Sequence, residues 1–531
     1  MLVYTRKADG RLRFAESTPE KESLSLPDLE AGDYLVAIYL EPGDNGYLYS
    51  HGFLSQRAYF ADLGVNIFRQ TFDVIPPPGL EPRVEASDSI SQTPAVSVGD
   101  RQVLRFRRDG AEAVSVEPRS LDPALFMPSL RIGGGVSLRE SVDRLRDQVL
   151  RQREITYDFR AFIKKEVGDL RGRAAVRKAL RAVRGRYDAS DGLVDYPVRR
   201  GLYDGHGHRA LAFSAALEVL GVEHQLFLAR PNHDRPPTRF LTTDDFEVAL
   251  IRLSDDTWVY PIHDSGAPGY LPFPLLGGQG VQLWPIISSV EPAPLPEQRQ
   301  VRDSRRSSLR ARWTSSGKLI GEIEDILTGQ EAVSIAGYLR ELEPSQRPRL
   351  IERLLVHVIS TARVTHLEPL DLNDSDTLAL RYRFEAMVGD QMNLGLFPMR
   401  AGRTFASLVE RTTPLYIDLP AHQKVDIMIE SERPLRTSAT SAEHVSGDHR
   451  ISRQVAVDGE TITVNSSLDV QGGLVSPAAY SEFRAWARTA DGLERVVINA
   501  QAPLTSRSTK TPLLAGRPLD GDGSITVDER P

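Results

Sequence analysis

The sequence contains no cysteine among its 531 residues. That absence excludes disulfides, thiolate metal ligands, iron–sulfur clusters and every mechanism that depends on a cysteine nucleophile. It leaves the cellular compartment unknown, because exported and cytosolic proteins can both lack this residue.

Long apolar runs and a strong charge of one sign are also missing. No segment approaches the ~18 consecutive apolar residues of a membrane-spanning helix, and the first ten residues lack the apolar core of a signal peptide. The net charge of −7 is small for this length, which argues against a general nucleic-acid binder. We therefore expect a soluble chain with no transmembrane segment and no nucleic-acid partner.

Apolar runs, turn signals and shifts in composition divide the chain into five parts. The fold class that we predict is α+β and multidomain, with Gly133-Gly134-Gly135 interpreted as a hinge because no Lys-Ser/Thr follows it as in a phosphate-binding loop. The predicted parts are a β-sandwich at 1–132, an α+β core at 136–290, a linker at 291–312, a second β-rich sandwich with two helices at 313–504, and a disordered tail at 505–531.

Positive charge is concentrated on the helical segment between Arg139 and Arg186. This segment carries fifteen Arg and Lys against seven Asp and Glu. One interpretation is a face that binds anionic surfaces or phosphates, and the other is a solvated helix face with ion pairs. We favour the second, because no aromatic residues are interleaved to stack on bases.

The segment from Arg200 to Val222 predicts a buried helix packed on an antiparallel sheet. Residues 210–220 are apolar nearly all round, Asp204 is a candidate N-cap, and Gly221 is a candidate C′ residue. Strand-like runs follow at 225–229, 248–253 and 258–261.

These segments resemble the core of bacterial transglutaminase-like proteins. The similarity lies in Arg200 to Ala229, in Phe246-Glu-Val-Ala-Leu-Ile251 and in Val259-Tyr-Pro-Ile-His-Asp264, and the flanks resemble the sandwich domains of the same proteins, one of them of unknown function. The resemblance implies a papain-like core with a Cys-His-Asp triad. Relatives often carry a signal peptide and more sandwich at the N-terminus, so Met1 is compatible with an internal start.

The resemblance implies that every triad position is degenerate here. The nucleophile position falls on His206, the base position on Val248, and the orienting acid on His263, or on Asp264 after a shift of one residue. Valine cannot act as a base, and a triad works as a unit. We therefore expect a catalytically inactive transglutaminase-like protein that needs no cofactor and binds a protein or peptide partner.

The predicted cleft contains two closely spaced histidines, which leave a second interpretation open. Residues two apart on a helix point about 200° apart, so these side chains converge only if the first turn is irregular, as neighbouring glycines permit. The alternative is a hydrolase with a metal or His/Asp site at Asp204, His206, His208 and His263. The full set of predicted cleft residues is Tyr203, Asp204, His206, His208, Phe246, His263 and Asp264.

Overall fold

The computed structural model shows an α+β protein with several separate sheets. The residues that it describes are 2–17, 24–38, 52–76, 81–99, 101–188, 192–233, 240–262, 267–298, 301–372 and 377–501. The predicted tail therefore lies outside the described residues. Within the described ranges, no helix is both long and apolar enough to cross a bilayer.

The N-terminal region is built from short strands arranged in small sheets. Strands β8 and β12 pair in one sheet and β9 and β13 in another, and Phe106 and Ile132 from the two sheets meet in a shared apolar core. The strands are β1 Leu2–Arg6, β2 Leu12–Phe14, β3 Glu16–Ser17, β4 Leu24–Ser25, β5 Tyr34–Ile38, β6 Phe53–Leu54, β7 Ala58–Tyr59, β8 Ile67–Val74, β9 Arg83–Ala86, β10 Ser91–Gln92, β11 Val96–Val98, β12 Arg101–Ala111 and β13 Ser129–Gly134.

The glycine triplet does not form the hinge that we predict from the sequence. Gly133 and Gly134 belong to the buried strand β13, and the triplet begins inside a sheet. A Cβ atom on Gly133 would lie 2.9 Å from Leu54 Cδ1 and 3.2 Å from the Phe240 ring. Glycine is needed here because other segments of the chain approach closely. The sequence pattern alone does not reveal these neighbouring segments.

The central region packs helices on one antiparallel sheet, as predicted. The strand order is β16-β15-β14-β17-β18, and every residue of α4 from Arg209 to Leu217 is buried. The elements are α1 Leu138–Gln152, α2 Tyr157–Val167, α3 Gly172–Arg184, α4 Arg209–Val219, β14 His224–Arg230, β15 Val248–Leu253, β16 Trp258–Val259, β17 Gln279–Trp284 and β18 Ala293–Pro294.

The C-terminal region is organised around an eight-stranded sheet with the order β21-β22-β20-β19-β25-β29-β28-β27. Only the pair β19–β25 in this sheet is parallel. The elements are β19 Ser304–Trp313, β20 Lys318–Thr328, α5 Gln330–Glu341, α6 Arg347–Leu355, β21 Arg363–Leu367, β22 Thr377–Met387, β23 Gln391–Gly395, α7 Ala401–Phe405, β24 Leu415–Ile417, β25 Ala421–Ser431, β26 Leu435–Thr437, β27 Ala442–Ser446, β28 His449–Asp458, β29 Thr461–Val470, β30 Gly473–Val475, α8 Pro477–Leu493 and β31 Arg495–Ala500.

The basic stretch assigned to the linker is an interior strand. Ser304–Trp313 is β19, which lies between β20 and β25 in the eight-stranded sheet. Arg305 is buried and pairs with Asp325 of β20, with Nη2 and Oδ2 2.9 Å apart. The linker prediction is wrong over these residues, because an arginine that looks solvated in sequence has its carboxylate partner on a neighbouring strand.

The N-terminal and C-terminal regions touch through Glu117. Its carboxylate accepts hydrogen bonds from the backbone N–H and the hydroxyl of both Thr412 and Thr413. The buried Arg411 lies 3.3 Å from the same carboxylate. Burial alone would raise the pKa of Glu117, but the hydrogen bonds from Thr413 and Thr412 outweigh it and lower the pKa to about 2.

Candidate functional site

The central helix α4 begins later than we predict from the sequence. Its N-cap is His208, whose Nδ1 accepts a hydrogen bond from the Ala210 N–H at 3.1 Å. The predicted cap, Asp204, lies outside the helix. Gly205 and Gly207, with φ of +82° and +129°, hold the preceding backbone in conformations that an α-helix does not use.

The Asp204 carboxylate is engaged by its own segment. Its Oδ2 lies 2.8 Å from Nε of Arg200, and its Oδ1 accepts the His206 N–H at 3.2 Å. The hydrogen bond from Arg200 holds the pKa of Asp204 below its ordinary value. An ionised carboxylate paired in this way is poorly suited to serve as a general base.

Tyr196 forms a small ring cluster with the residue at the predicted nucleophile position. The His206 ring lies 4.8 Å from the Tyr196 ring, measured between centroids, and the Arg200 guanidinium lies 5.1 Å from the Tyr196 centroid. The side chain at the predicted nucleophile position therefore packs against an aromatic ring, which the sequence did not indicate.

Arg209 ties the first turn of α4 to the two chain segments beside it. This buried side chain donates from Nε to the Tyr187 carbonyl and from Nη1 to the Ile262 carbonyl, each at 2.8 Å. The sequence analysis did not single out Arg209, although a lone arginine beside an apolar helical run is a signal for an internal role. The next residues along that second segment, His263 and Asp264, lie outside the described residues.

The predicted base position does not face α4. On β15, Ala249 and Ile251 belong to the apolar cluster that contains α4, whereas Val248 and Leu250 pack with the cluster on the other face of the sheet. Phe246 is 3% exposed and belongs to the α4 cluster, so it is a core residue rather than an open cleft wall.

Two strongly exposed tyrosines lie near the first turn of α2, which Tyr157 begins and to which Tyr203 is hydrogen-bonded. Tyr203 is 72% exposed and Tyr157 is 84% exposed. The Tyr203 hydroxyl donates to Asp158 Oδ2 at 2.8 Å, which raises the pKa of Tyr203 and places its ring close to the first turn of α2. The Tyr203 ring provides apolar contact area next to Asp204, and Tyr157 is the first residue of α2, adjacent in sequence to Asp158.

The described residues do not assemble a metal-binding set. Within them, no three His, Asp or Glu side chains come together as ligands. Asp204 is paired with Arg200, and the Nδ1 atom of His208 caps α4. The alternative metal site keeps His263 as a candidate ligand beyond the described residues, so it remains a prediction.

Several arginines of the basic segment point into the protein. Arg146 donates to the carbonyl groups of Gln282, Ile287 and Ser289 at 2.8 to 3.0 Å. Arg184 donates to the Tyr260 carbonyl at 3.0 Å. These two guanidinium groups are bound to backbone carbonyl oxygens and are not available to an anionic surface.

Comparison with known proteins finds similarity at the level of fold. No family model matches the chain, and no curated protein matches it. Among solved structures, the fold is similar to the 2.00 Å crystal structure of "a putative protease" from Parabacteroides distasonis, with a TM-score of 0.59 and 11% identity. The similarity covers 94% of this chain and 88% of that one, so the multidomain arrangement is shared, whereas such low identity carries no information about activity.

Proposed function

We propose that this chain is a catalytically inactive transglutaminase-like protein that binds a peptide or protein partner. The observation that carries the proposal is the packing of the His206 side chain. At the position where the resembling family holds a thiolate, an imidazole packs on Tyr196, and no cysteine exists in the chain to replace it. Covalent acyl transfer needs an activated nucleophile with a base within hydrogen-bond reach.

The exposed rings of Tyr203 and Tyr157 support a binding role. Tyr203 and Tyr157 offer amphipathic surface at low entropic cost, which is the property that favours tyrosine in recognition surfaces. A binding protein retains the overall fold while its reactive groups are replaced, since fold and chemistry are separable.

The loss of chemistry is tested with glutamine-containing peptides in acyl-transfer and amide-hydrolysis assays. We expect no turnover, and we expect His206→Ala to behave as the wild type. Turnover that His206→Ala abolishes would contradict the proposal. Metal analysis of protein purified without a histidine tag checks the hydrolase alternative, because stoichiometric zinc would support that reading instead.

The binding role is tested by selecting extended decapeptides from a phage-displayed library on the intact chain. We expect selected peptides to lose at least roughly tenfold in affinity on Tyr203→Ala. Tyr338→Ala is the matched control, because Tyr338 is 63% exposed on α5, a helix of the C-terminal region. Equal effects of the two substitutions would place the binding surface elsewhere.

A further inference from the structure

A cavity of about 710 Å³ lies at the end of α4 opposite the candidate site. Its walls come from the C-terminal end of α4, the start of β14, the turn after β15 and the end of β17. The volume falls within the range of small-molecule sites in proteins. Residues of its wall that matter for recognition are Glu218, Glu223, His224, Arg252, Asp256 and Trp284.

Trp284 forms a wall of the cavity that is fixed from behind. The Arg153 guanidinium lies 4.4 Å from the Trp284 ring centroid and is itself 6% exposed. Arg153 is held by Ser214, with Nε 3.0 Å from Oγ, and by Glu218, with Nη2 2.6 Å from Oε2. The indole is thereby pre-positioned, which reduces the entropy lost when a ligand packs against it.

The charges around the cavity leave an excess of negative charge. Arg252 pairs with Asp256 at 2.6 Å, and Glu218 pairs with Arg153, so these four groups balance. Among the described residues, no hydrogen bond or ion pair engages Glu223, which is exposed at the cavity wall. The C-terminal end of α4 adds the partial negative charge of a helix end.

The imidazole of His224, on the cavity wall, adds no positive charge to offset the excess negative charge. His224 Nε2 lies 2.8 Å from Ser214 Oγ, and its Nδ1 lies 2.9 Å from the Val222 carbonyl oxygen. Because a carbonyl only accepts, Nδ1 carries the proton, and Nε2 accepts from the Ser214 hydroxyl. Burial lowers the pKa of His224, in agreement with a neutral ring.

We infer that this cavity binds a small organic cation, an ammonium or guanidinium group on an apolar or aromatic body. The body packs against Trp284, and the cation is neutralised by Glu223 near the end of α4. The inference does not depend on the proposed function, because the cavity lies at the C-terminal end of α4 and the candidate site lies at its N-terminal end.

The test uses the whole chain and two isosteric probes, benzylamine and benzyl alcohol, which differ in charge at neutral pH. Binding is followed by the fluorescence of Trp284, since the other tryptophans, Trp258, Trp313 and Trp486, are buried. We expect benzylamine to bind roughly tenfold more tightly than benzyl alcohol. Equal affinities, or no binding of benzylamine at millimolar concentrations, would overturn the inference.

Two variants locate the site. Glu223→Gln changes an exposed side chain, and we expect it to weaken benzylamine by roughly three- to tenfold while benzyl alcohol is unchanged. Trp284→Phe should weaken the binding of both probes. Ligand-detected NMR replaces fluorescence for this variant, and its melting temperature checks that it is folded. Glu341→Gln, an exposed carboxylate on α5, is the control. An unchanged benzylamine affinity in Glu223→Gln refutes the site.

Discussion

Several polar residues in this protein make structural contacts where their residue types suggest a catalytic or metal-binding role. Asp204, His206 and His208 have the composition of a catalytic or metal site, yet they pair with Arg200, pack on Tyr196 and cap α4. Each interaction is local and satisfies a polar group or a ring. Glu494, a carboxylic acid in the protein interior, is a different case and tests how one buried residue controls stability.

Glu494 is 2% exposed at the end of α8, and burial, with a contribution from Asp491, raises its pKa to about 8 from 4.5. The folded state therefore holds the proton more tightly than the unfolded state. This contribution to stability is complete below about pH 4.5 and is lost as the pH rises toward 8. We expect Glu494→Gln to match the wild type near pH 4.5 and to exceed its free energy of unfolding by roughly 5 kcal/mol at pH 9.

The measurement is urea unfolding of both proteins across this pH range. Glu341→Gln changes an exposed glutamate and is the matched control. A Glu494→Gln advantage that is independent of pH would mean that the carboxyl stays ionised in the folded state.

At the scale of elements, the boundaries depend on a few backbone positions and buried pairs. The predicted buried helix and the antiparallel sheet beside it are confirmed, and the structure also forms a hairpin around Asp458-Gly459, with Asp458 opposite Thr461. Their signals are local, since period and turn chemistry lie within a few residues. The start of α4 and the strand β19 were not predicted, because their causes lie in other segments.

Gly207 is expected to stabilise the backbone conformation of the segment that leads into α4. Its φ of +129° is unfavourable for any side chain, and a Cβ atom would lie 3.2 Å from the Tyr187 ring. Gly207→Ala should therefore lower the free energy of unfolding by about 1–3 kcal/mol. Gly337→Ala is the matched control: it lies inside α5 with open space around its Cβ position and should stabilise by about 0.5–1 kcal/mol. Thermal unfolding of the two variants should move in opposite directions.

Arg305 is expected to hold β19 in the sheet. Arg305→Met leaves the Asp325 side chain, which is 3% exposed, without its cation. It should lower the free energy of unfolding by about 3–5 kcal/mol. The neighbouring Arg306 forms an exposed pair with Asp426, and Arg306→Met should cost about 0–1 kcal/mol. Chemical denaturation of both variants measures the difference, and equal losses would contradict a structural role for the buried pair.

At the scale of the whole molecule, the regions are joined by specific polar contacts as well as by apolar packing. Glu117 is the clearest of these contacts, because its carboxylate accepts four hydrogen bonds from Thr412 and Thr413. Its pKa of about 2 means that it stabilises the contact fully above pH 4.5, its ordinary value, and loses this effect as the pH falls toward 2.

We expect Glu117→Ala to loosen the contact between the N-terminal and C-terminal regions without unfolding either. Amide hydrogen exchange at Thr412 and Thr413 should accelerate by roughly tenfold or more at neutral pH, because both N–H groups donate to this carboxylate. Asp418→Asn removes only the exposed pair with Arg119 and should leave those rates unchanged. Unaltered exchange in Glu117→Ala would show that other contacts hold the regions together.

The sequence by itself determined that no thiol chemistry is possible, that α4 is a buried helix and that the fold class is α+β. These conclusions follow from the absence of a residue type and from periodicity, which need no knowledge of contacts. Only the tertiary structure decided that Val248 faces away from α4, that Arg305 is buried and that the glycine triplet begins inside a strand. The physical reason is that burial and pairing depend on residues from distant parts of the chain, which periodicity does not encode.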